Sequence, residues 1–216
     1  MHIDQMTEQQ LRAQLDTQEE LYRKLSQRNL QLDLTRGKPC AEQVALSDQL
    51  DGILDGNYLD AAGTDSRNYG GLKGLPEARS LFADILGSTA ENTLVGGNSS
   101  LTLMYTVMEF AMNRGFGEQP WREQGQIKFL CPVPGYDRHF ALTEYLGIEM
   151  LPVPMTSTGP DMVIVEELVA ADHSIKGIWC VPRFSNPTGT VYDSDTVERI
   201  ARLSTIGAAD FLVMWD

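Results

Sequence analysis

The chain has 216 residues, of which 42% are hydrophobic and 22% charged, which is enough apolar material for the core of a large soluble domain. Its formal net charge of −13 argues against a surface for nucleic acid or for an anionic membrane. Cys40, Cys131 and Cys180 form no CxxC or Cys/His cluster, so the sequence predicts neither a metal site nor a disulfide framework.

The N-terminal part predicts one long helix followed by loop. The opening residues MHIDQMTEQQ lack the apolar core of a signal peptide, and no stretch is as long as a membrane span, so we expect a cytoplasmic protein. Residues 7–29 predict an amphipathic helix with Thr7 and Gln10 as its capping box. Residues 47–74, rich in Gly, Asp and Asn, predict loop with short helical pieces.

The next segment predicts two helices with a short strand between them. Pro76 stands in the first turn of an apolar-periodic stretch that Gly87 ends. Residues 92–97 (NTLVGG) predict a strand running into a turn. Residues 99–115 are apolar on nearly every side of a helix, so we expect this helix to be buried.

Strands and helices alternate through the rest of the chain. The predicted strands are continuous apolar runs, which is typical of strands that are covered on both faces. We therefore expect an α/β fold, with a mostly parallel sheet, helices on both faces and a preceding N-terminal helical arm. The predicted strands are 127–134, 148–155, 175–182 and 211–216, and the helices between them are 138–147, 161–171 and 193–206.

Ligands of such sheets bind outside the carboxyl ends of the strands, so polar residues there are candidates. Residues 96–100 (GGNSS) lead into a helix whose free N–H groups suit a phosphate. The alternative is an ordinary strand–helix turn with an Asn or Ser cap, which we favour for this stretch taken alone. It is neither a Walker loop nor a GxGxxG fingerprint.

Three further strand ends carry polar or aromatic side chains. Tyr136, after a Pro-Gly turn, suits either stacking on a planar ligand or packing at the rim of the sheet. His139, three residues later, is a candidate base, but we favour a helix-surface or half-buried residue. Asn186, in SNPTG, either shapes its turn or hydrogen-bonds a ligand. Asp216 needs a cation or a donor, such as a protonated ring nitrogen, unless it caps a following helix.

The ordered set TRGKP, RNYGG, GGNSSL, CPVPGYDRHF, SNPTG and WD resembles the fold-type I aminotransferases, which depend on pyridoxal 5′-phosphate, and in particular their aspartate aminotransferase branch. The resemblance extends over nearly all of the chain from Leu32. It implies that Asp216 pairs with the pyridinium nitrogen, which keeps the ring an electron sink. It also implies that Asn186 binds the cofactor 3′-oxygen and the substrate carboxylate, and that Tyr136 stacks on the ring.

The resemblance assigns roles to a second group of residues. Gly97, Asn98 and Ser99 would hold the cofactor phosphate. Gly37 would lie against the substrate α-carboxylate. Tyr69 would reach the phosphate of a neighbouring subunit, since the active sites of this family form across a homodimer interface. No metal is implied.

The family's cofactor-binding lysine has no counterpart in this sequence. Lys24, Lys38, Lys73, Lys128 and Lys176 all stand in contexts that do not match it. The resemblance therefore implies the N-terminal part of a longer enzyme that is inactive by itself. In that reading residues 1–46 are an arm that belongs to the small domain and the dimer contact, and residues 47–216 begin the cofactor-binding large domain.

The implied reaction is transamination between L-aspartate and 2-oxoglutarate. Two alternatives to this reaction remain open from the sequence. One is a lyase or another aminotransferase with the same fold, because the residues that select the substrate lie outside these motifs. The other is a non-catalytic binding or sensor module, although the N-terminal helix has no basic patch for DNA.

Overall fold

The computed structural model describes residues 6–31, 37–117 and 119–216. The chain divides into two compact units, Met1–Tyr58 and Leu59–Asp216. Leu32 and the first two residues of the TRGKP run lie outside the described residues, so the structure bears on that motif only from Gly37 onwards.

The first unit is built around one long helix, α1 (Glu8–Gln27). The predicted capping box is confirmed, because Gln10 N donates to Thr7 Oγ1 at 3.3 Å and Thr7 N donates to Gln10 Oε1 at 2.9 Å. As described, α1 has no buried residue. A short helix α2 (Ala41–Val44) and a 3₁₀ turn (Ala45–Leu50) follow.

The second unit begins with two helices, α3 (Pro76–Leu86) and α4 (Ser100–Asn113). The expected ends of α3 are confirmed, with Pro76 in its first turn and Gly87 as a left-handed C-terminal residue at φ +63°. That backbone conformation is one that glycine adopts without strain. The N-terminus of α4 is capped by Ser99.

A five-stranded sheet forms the centre of the second unit, in the order β3-β2-β1-β4-β5. The pairs β1–β2, β1–β4 and β4–β5 are parallel and β2–β3 is antiparallel, which confirms the mostly parallel sheet. The elements are β1 (Lys128–Val133), α5 (Asp137–Tyr145), β2 (Glu149–Thr156), β3 (Gly159–Pro160), α6 (Met162–Ala171), β4 (Ile175–Cys180), α7 (Ser194–Arg202) and β5 (Leu212–Trp215).

Each face of the sheet has its own buried core, because successive side chains of a strand point to opposite faces. Along β1, Leu130 packs into one core, whereas its neighbours Phe129 and Cys131 pack into the other. Helices on both faces are thereby confirmed. The first core joins the sheet to α6, to α7 and to the turn after α7, through Leu130, Val153, Val165, Val169, Ile178, Ile200 and Leu203. The second joins it to α4 and α5 through Met104, Met108, Phe129, Leu142, Trp179 and Met214.

Two expectations for the segment before the sheet are wrong. Residues 92–97 are not a strand; Val95 N bonds Lys73 O at 3.0 Å, but no neighbouring strand extends this contact into a ladder within the described residues. Helix α4 is buried on one face only. Leu103, Val107 and Phe110, on its other side, remain 42%, 39% and 48% exposed.

No helix in the described ranges combines the length and the apolar character that crossing a membrane requires.

Candidate functional site

The carboxyl ends of β1, β4 and β5 lie at one edge of the sheet because these strands run parallel. After β1 the chain turns sharply through Gly135 into α5. A Cβ at Gly135 would come within 2.3 Å of the Pro132 carbonyl oxygen, so this turn requires glycine. The turn sets the start of α5, which places Tyr136 and His139 beside the ends of β4 and β5.

Asp216, directly after β5, is held by two hydrogen bonds. Its backbone N–H donates to Cys180 O at 2.9 Å and so extends the β4–β5 ladder by one residue. Its carboxylate Oδ2 lies 3.0 Å from Nε2 of His139. The His139 side chain is 1% exposed, whereas the Asp216 side chain is 23% exposed, so the carboxylate keeps an accessible side.

The His139 imidazole is enclosed by aromatic rings. It stacks on the Trp179 indole at 4.3 Å between centroids and 7° between planes, and Tyr136 meets it edge-on at 5.0 Å. Burial lowers the pKa of His139, and the opposing effect of the Asp216 carboxylate does not cancel it. The ring is therefore neutral at pH 7 and donates its Nε2–H to the carboxylate, which accepts.

Trp179 is itself fixed by a hydrogen bond. Its Nε1–H donates to Thr143 Oγ1 at 2.9 Å, and the same hydroxyl donates to the backbone carbonyl of His139 at 2.8 Å. Thr143 and Trp179 are both buried, at 0% and 2% exposure. The polar groups around the imidazole are thus satisfied by one another rather than by water.

A small cavity of about 20 Å³ lies beneath the site, lined by Tyr136, His139, Trp179, Asn186 and Tyr192 among others. A volume of this size holds at most about one water molecule. Burial raises the pKa of the Tyr192 phenol to about 12, so this group stays protonated. An organic ligand would therefore lie over the rim of the cavity, where Asn186 is exposed.

The glycine-rich turn before α4 is open to solvent. Ser99 Oγ accepts from Thr102 N at 3.3 Å, so Ser99 is an N-cap, as the alternative interpretation of this turn expects. A Cβ at Gly97 would meet nothing within 4 Å, whereas one at Gly96 would come within 2.2 Å of the Leu103 side chain. Packing thus restricts Gly96 and leaves the backbone at Gly97 and Asn98 free to approach a ligand.

The structure brings together only some of the candidate residues. Tyr136 and Asn186 line one cavity with His139, which bonds Asp216. Gly97 and Asn98 line a separate groove just before α4, and Ser99 beside them is the N-cap of that helix. Tyr69 is 99% exposed, and Gly37 belongs to the first unit.

His139 is the site residue whose environment sequence reasoning misjudges. The pattern favours a helix-surface or half-buried residue, but His139 is enclosed and bonds a residue 77 positions away. Such a distant pairing leaves no trace in local periodicity. The sequence does contain one signal for this contact. His139 comes three residues after Tyr136, in the first turn of α5, so it starts at the same edge of the sheet as the strand ends.

The lysines of the strands lie at the opposite, amino-terminal edge of the sheet. Lys128, at the start of β1, pairs with Asp172 at 2.7 Å, and Lys176, near the start of β4, pairs with Asp210 at 2.6 Å. Asp210 also accepts from Trp121 Nε1 at 2.9 Å. Neither ammonium group is near Asp216.

Solved structures with the same fold are aminotransferases. An aspartate transaminase from Corynebacterium glutamicum superposes with a TM-score of 0.82 at 42% identity, over 96% of this chain and 49% of that one. The alpha-aminoadipate aminotransferase LysN from Thermus thermophilus, 19% identical, superposes over 82% of this chain and 41% of its own with a TM-score of 0.61, which shows the fold alone.

The family model described as aspartate amino-transferase matches residues 6–216, and the chain belongs to that family. A protein of Mycolicibacterium smegmatis named as an aminotransferase is 47% identical over 221 residues, covering all of this chain and 51% of the relative. The aspartate aminotransferase of Corynebacterium glutamicum is 47% identical over 195 residues, covering 89% of this chain and 45% of the relative. The chain therefore spans about half the length of the relatives that it matches.

Proposed function

We propose that this protein works as a pyridoxal-phosphate-dependent aminotransferase, which moves an amino group between L-aspartate and 2-oxoglutarate. The observation that carries the proposal is the Asp216–His139 pair at the carboxyl edge of the sheet, with Tyr136 and Asn186 beside it. The name of the Corynebacterium glutamicum relative supports the choice of L-aspartate. LysN was solved with N-(5′-phosphopyridoxyl)-L-leucine, which supports the choice of cofactor.

The donors and acceptors at this edge fit that cofactor. The accessible side of the Asp216 carboxylate suits a protonated ring nitrogen, and the exposed Asn186 amide suits a phenolic oxygen and a carboxylate. The N–H groups in the first turn of α4, reached through Gly97 and Asn98, suit a phosphate dianion. We therefore assign the cofactor ring to Asp216, Asn186 and Tyr136, and its phosphate to Gly97, Asn98 and Ser99.

When bound, pyridoxal phosphate supplies an electron sink that acidifies the substrate Cα–H bond. In the proposed site Asp216 holds a proton on the ring nitrogen, and the buried His139 donates to Asp216 so that the carboxylate keeps its orientation. Tyr136 covers one face of the ring and excludes water from it. Asn186 donates to the 3′-oxygen and to the substrate carboxylate.

The remaining parts of the proposed enzyme rest on sequence motifs. We assign the substrate α-carboxylate to Gly37 and place Tyr69 at a homodimer interface, where its 99% exposure in the single chain leaves the ring free for a second subunit. The covalent lysine is none of those in the strands, since Lys128 and Lys176 are ion-paired at the far edge. We expect residues 1–216 by themselves to be inactive, and the intact enzyme to be cytoplasmic.

The test is cofactor binding and turnover by the intact protein. We expect the absorbance band of bound pyridoxal phosphate and transfer from L-aspartate to 2-oxoglutarate, with both lost or strongly reduced in Asp216→Ala. Asp195→Asn, which changes a carboxylate that is 79% exposed, is the matched control and should behave as the parent protein.

Two results would contradict the proposal at different levels. Failure of the intact protein to bind pyridoxal phosphate would overturn the cofactor assignment and favour a non-catalytic binding module. Binding with release of ammonia or an eliminated product, or with a strong preference for another amino donor across a panel, would retain the cofactor and replace the reaction or the substrate.

A further inference from the structure

We propose that Thr143 and Trp179 are positioning residues, which hold the His139 ring in the one orientation and tautomer that donates Nε2–H to Asp216. The inference concerns the polar groups behind the site, and its catalytic meaning rests on the proposed function. Each residue contacts His139, Thr143 through its hydroxyl and Trp179 through its ring, so both act through His139.

The first support is the way in which the three elements are joined. Trp179 on β4 pairs with Met214 on β5, and the next ladder bond beyond Cys180–Trp215 is Asp216 N to Cys180 O. The indole and the carboxylate are therefore fixed on the same pair of strands. The imidazole comes from α5, so its distance to the carboxylate depends on how α5 is docked against β4.

The second support is that the Thr143 hydroxyl links α5 to β4. His139 and Thr143 are four residues apart on α5 and so lie on the same helix face. Trp179 contacts both, by its ring plane with His139 and by its Nε1–H with Thr143. Stacking on the Trp179 indole sets the tilt of the His139 imidazole. The hydrogen bond from Nε1–H to Thr143 holds the indole in that orientation.

The third support is the exclusion of water. His139, Thr143 and Trp179 are 1%, 0% and 2% exposed, so the imidazole is shielded from solvent. Movement of the indole would let water reach it. The groups that face the imidazole are the carboxylate of Asp216 after β5, the phenol of Tyr136 before α5 and the indole on β4. Burial is the larger influence on its pKa, so solvent entry would move that pKa back up towards the ordinary value.

The experiment compares Thr143→Val with Thr143→Ser in the intact, cofactor-free protein. Valine keeps the shape and removes the acceptor of the indole N–H, whereas serine retains a hydroxyl. The readouts are the ring ¹⁵N chemical shifts and the pH titration of His139 by NMR, assigned with a His139→Gln variant. We expect a single Nε2–H tautomer in the parent and in Thr143→Ser, and mixed tautomers with a raised pKa in Thr143→Val.

The matched control is Thr93→Val. Thr93 is 5% exposed and its hydroxyl donates to Thr89 O, four residues earlier, at 2.9 Å, which is the same local bond that Thr143 makes to His139 O. A general loss of stability from removing a buried hydroxyl should appear in both Thr143→Val and Thr93→Val. The change at His139 should appear only in Thr143→Val.

Unchanged tautomer and pKa in Thr143→Val, or equal changes in Thr93→Val, would overturn the inference. If Thr143→Val does not fold, Trp179→Phe decides, because it keeps an aromatic ring on His139 and removes the N–H: altered His139 shifts support the inference and parental shifts overturn it. None of these measurements needs the cofactor. Failure of pyridoxal phosphate to bind would therefore overturn the proposed function alone.

Discussion

The ammonium group of Lys176 and the carboxylate of Asp210 are removed from water together, with side chains 7% and 2% exposed. Burial by itself would raise the pKa of Asp210, but the hydrogen bonds from Lys176, Gln124 and Trp121 outweigh it and leave this pKa lowered. At the same edge of the sheet, Lys128 and Asp172 form a pair that is 27% and 36% exposed. The hydrogen bond from Lys128 is the main reason why the pKa of Asp172 is lowered to about 2.

The two pairs should respond very differently to the loss of one charge. Asp210→Asn leaves a buried ammonium without its anion, and we expect it to lower the free energy of unfolding by about 3 to 5 kcal/mol. Adding Lys176→Met should recover part of that loss, because no unpaired charge then remains. Asp172→Asn, the control at the more exposed pair, should cost about 0 to 1 kcal/mol.

Denaturant titration of the intact protein measures all three variants. Equal costs for Asp210→Asn and Asp172→Asn, or a double variant no more stable than Asp210→Asn, would show that burial does not govern the strength of these pairs.

Single residues also show where sequence reasoning stops. The need of the Asp216 carboxylate for a donor or a cation follows from its place at the end of an apolar strand. The donor, His139, could not be found in this way, since their contact depends on how α5 docks on β4 and β5. Cys131 and Cys180, in contrast, are buried because they stand within apolar runs that form strands, which the sequence shows directly.

At the scale of elements, local rules succeed wherever a segment carries its own start and stop signals. The capping box of α1 and the Pro and Gly that bound α3 are examples. Residues 92–97 have the composition of a strand but, within the part of the chain that the structure describes, no partner strand, and a strand forms only when it pairs with another. The hairpin strand β3 (Gly159–Pro160) is too short to have an apolar pattern at all.

The start of α4 allows capping and phosphate binding to be separated, because Ser99 is assigned to both. Ser99→Ala removes the acceptor of the Thr102 N–H and should cost about 1 kcal/mol of stability, whereas Ser99→Gly should cost only a few tenths. Both variants lack the hydroxyl, so both should lose the same amount of affinity for pyridoxal phosphate.

Thermal unfolding and cofactor titration of the intact protein measure the two quantities for each variant. If the affinity for pyridoxal phosphate falls in Ser99→Ala but not in Ser99→Gly, as the stability does, then Ser99 acts only as a helix cap and does not bind the phosphate.

At the scale of the whole molecule, a large apolar surface coexists with a large negative charge. In the second unit a groove of about 410 Å³ is lined by Phe82, Leu86, Leu94 and Leu103 among others, and these side chains are 46%, 69%, 71% and 42% exposed. Contiguous apolar patches of this kind favour association. The net charge of −13 opposes it by mutual repulsion between molecules.

A protein made of residues 1–216 should therefore self-associate in a salt-dependent way. Raising the ionic strength from about 0.01 M to about 1 M shortens the screening length from about 30 Å to about 3 Å and removes the repulsion but not the apolar attraction. Light scattering should show growing particles, and Leu103→Lys should reduce them because it places a charge within the groove. A soluble monomer at high salt with a reversible, cooperative melt would contradict this prediction.

The placement of Lys128 and Lys176 has a consequence for chemoselectivity. An aldehyde condenses with whichever unprotonated amine it meets first, and an adduct with the wrong one would be a dead end. Both strand lysines stand at the amino-terminal edge of the sheet, each engaged by a carboxylate, and the Asp172 partner raises the pKa of Lys128 further. A carbonyl compound that enters over Tyr136 and Asp216 therefore meets no unpaired lysine amine on these two strands, and the proposed cofactor is spared an unproductive adduct with either of them.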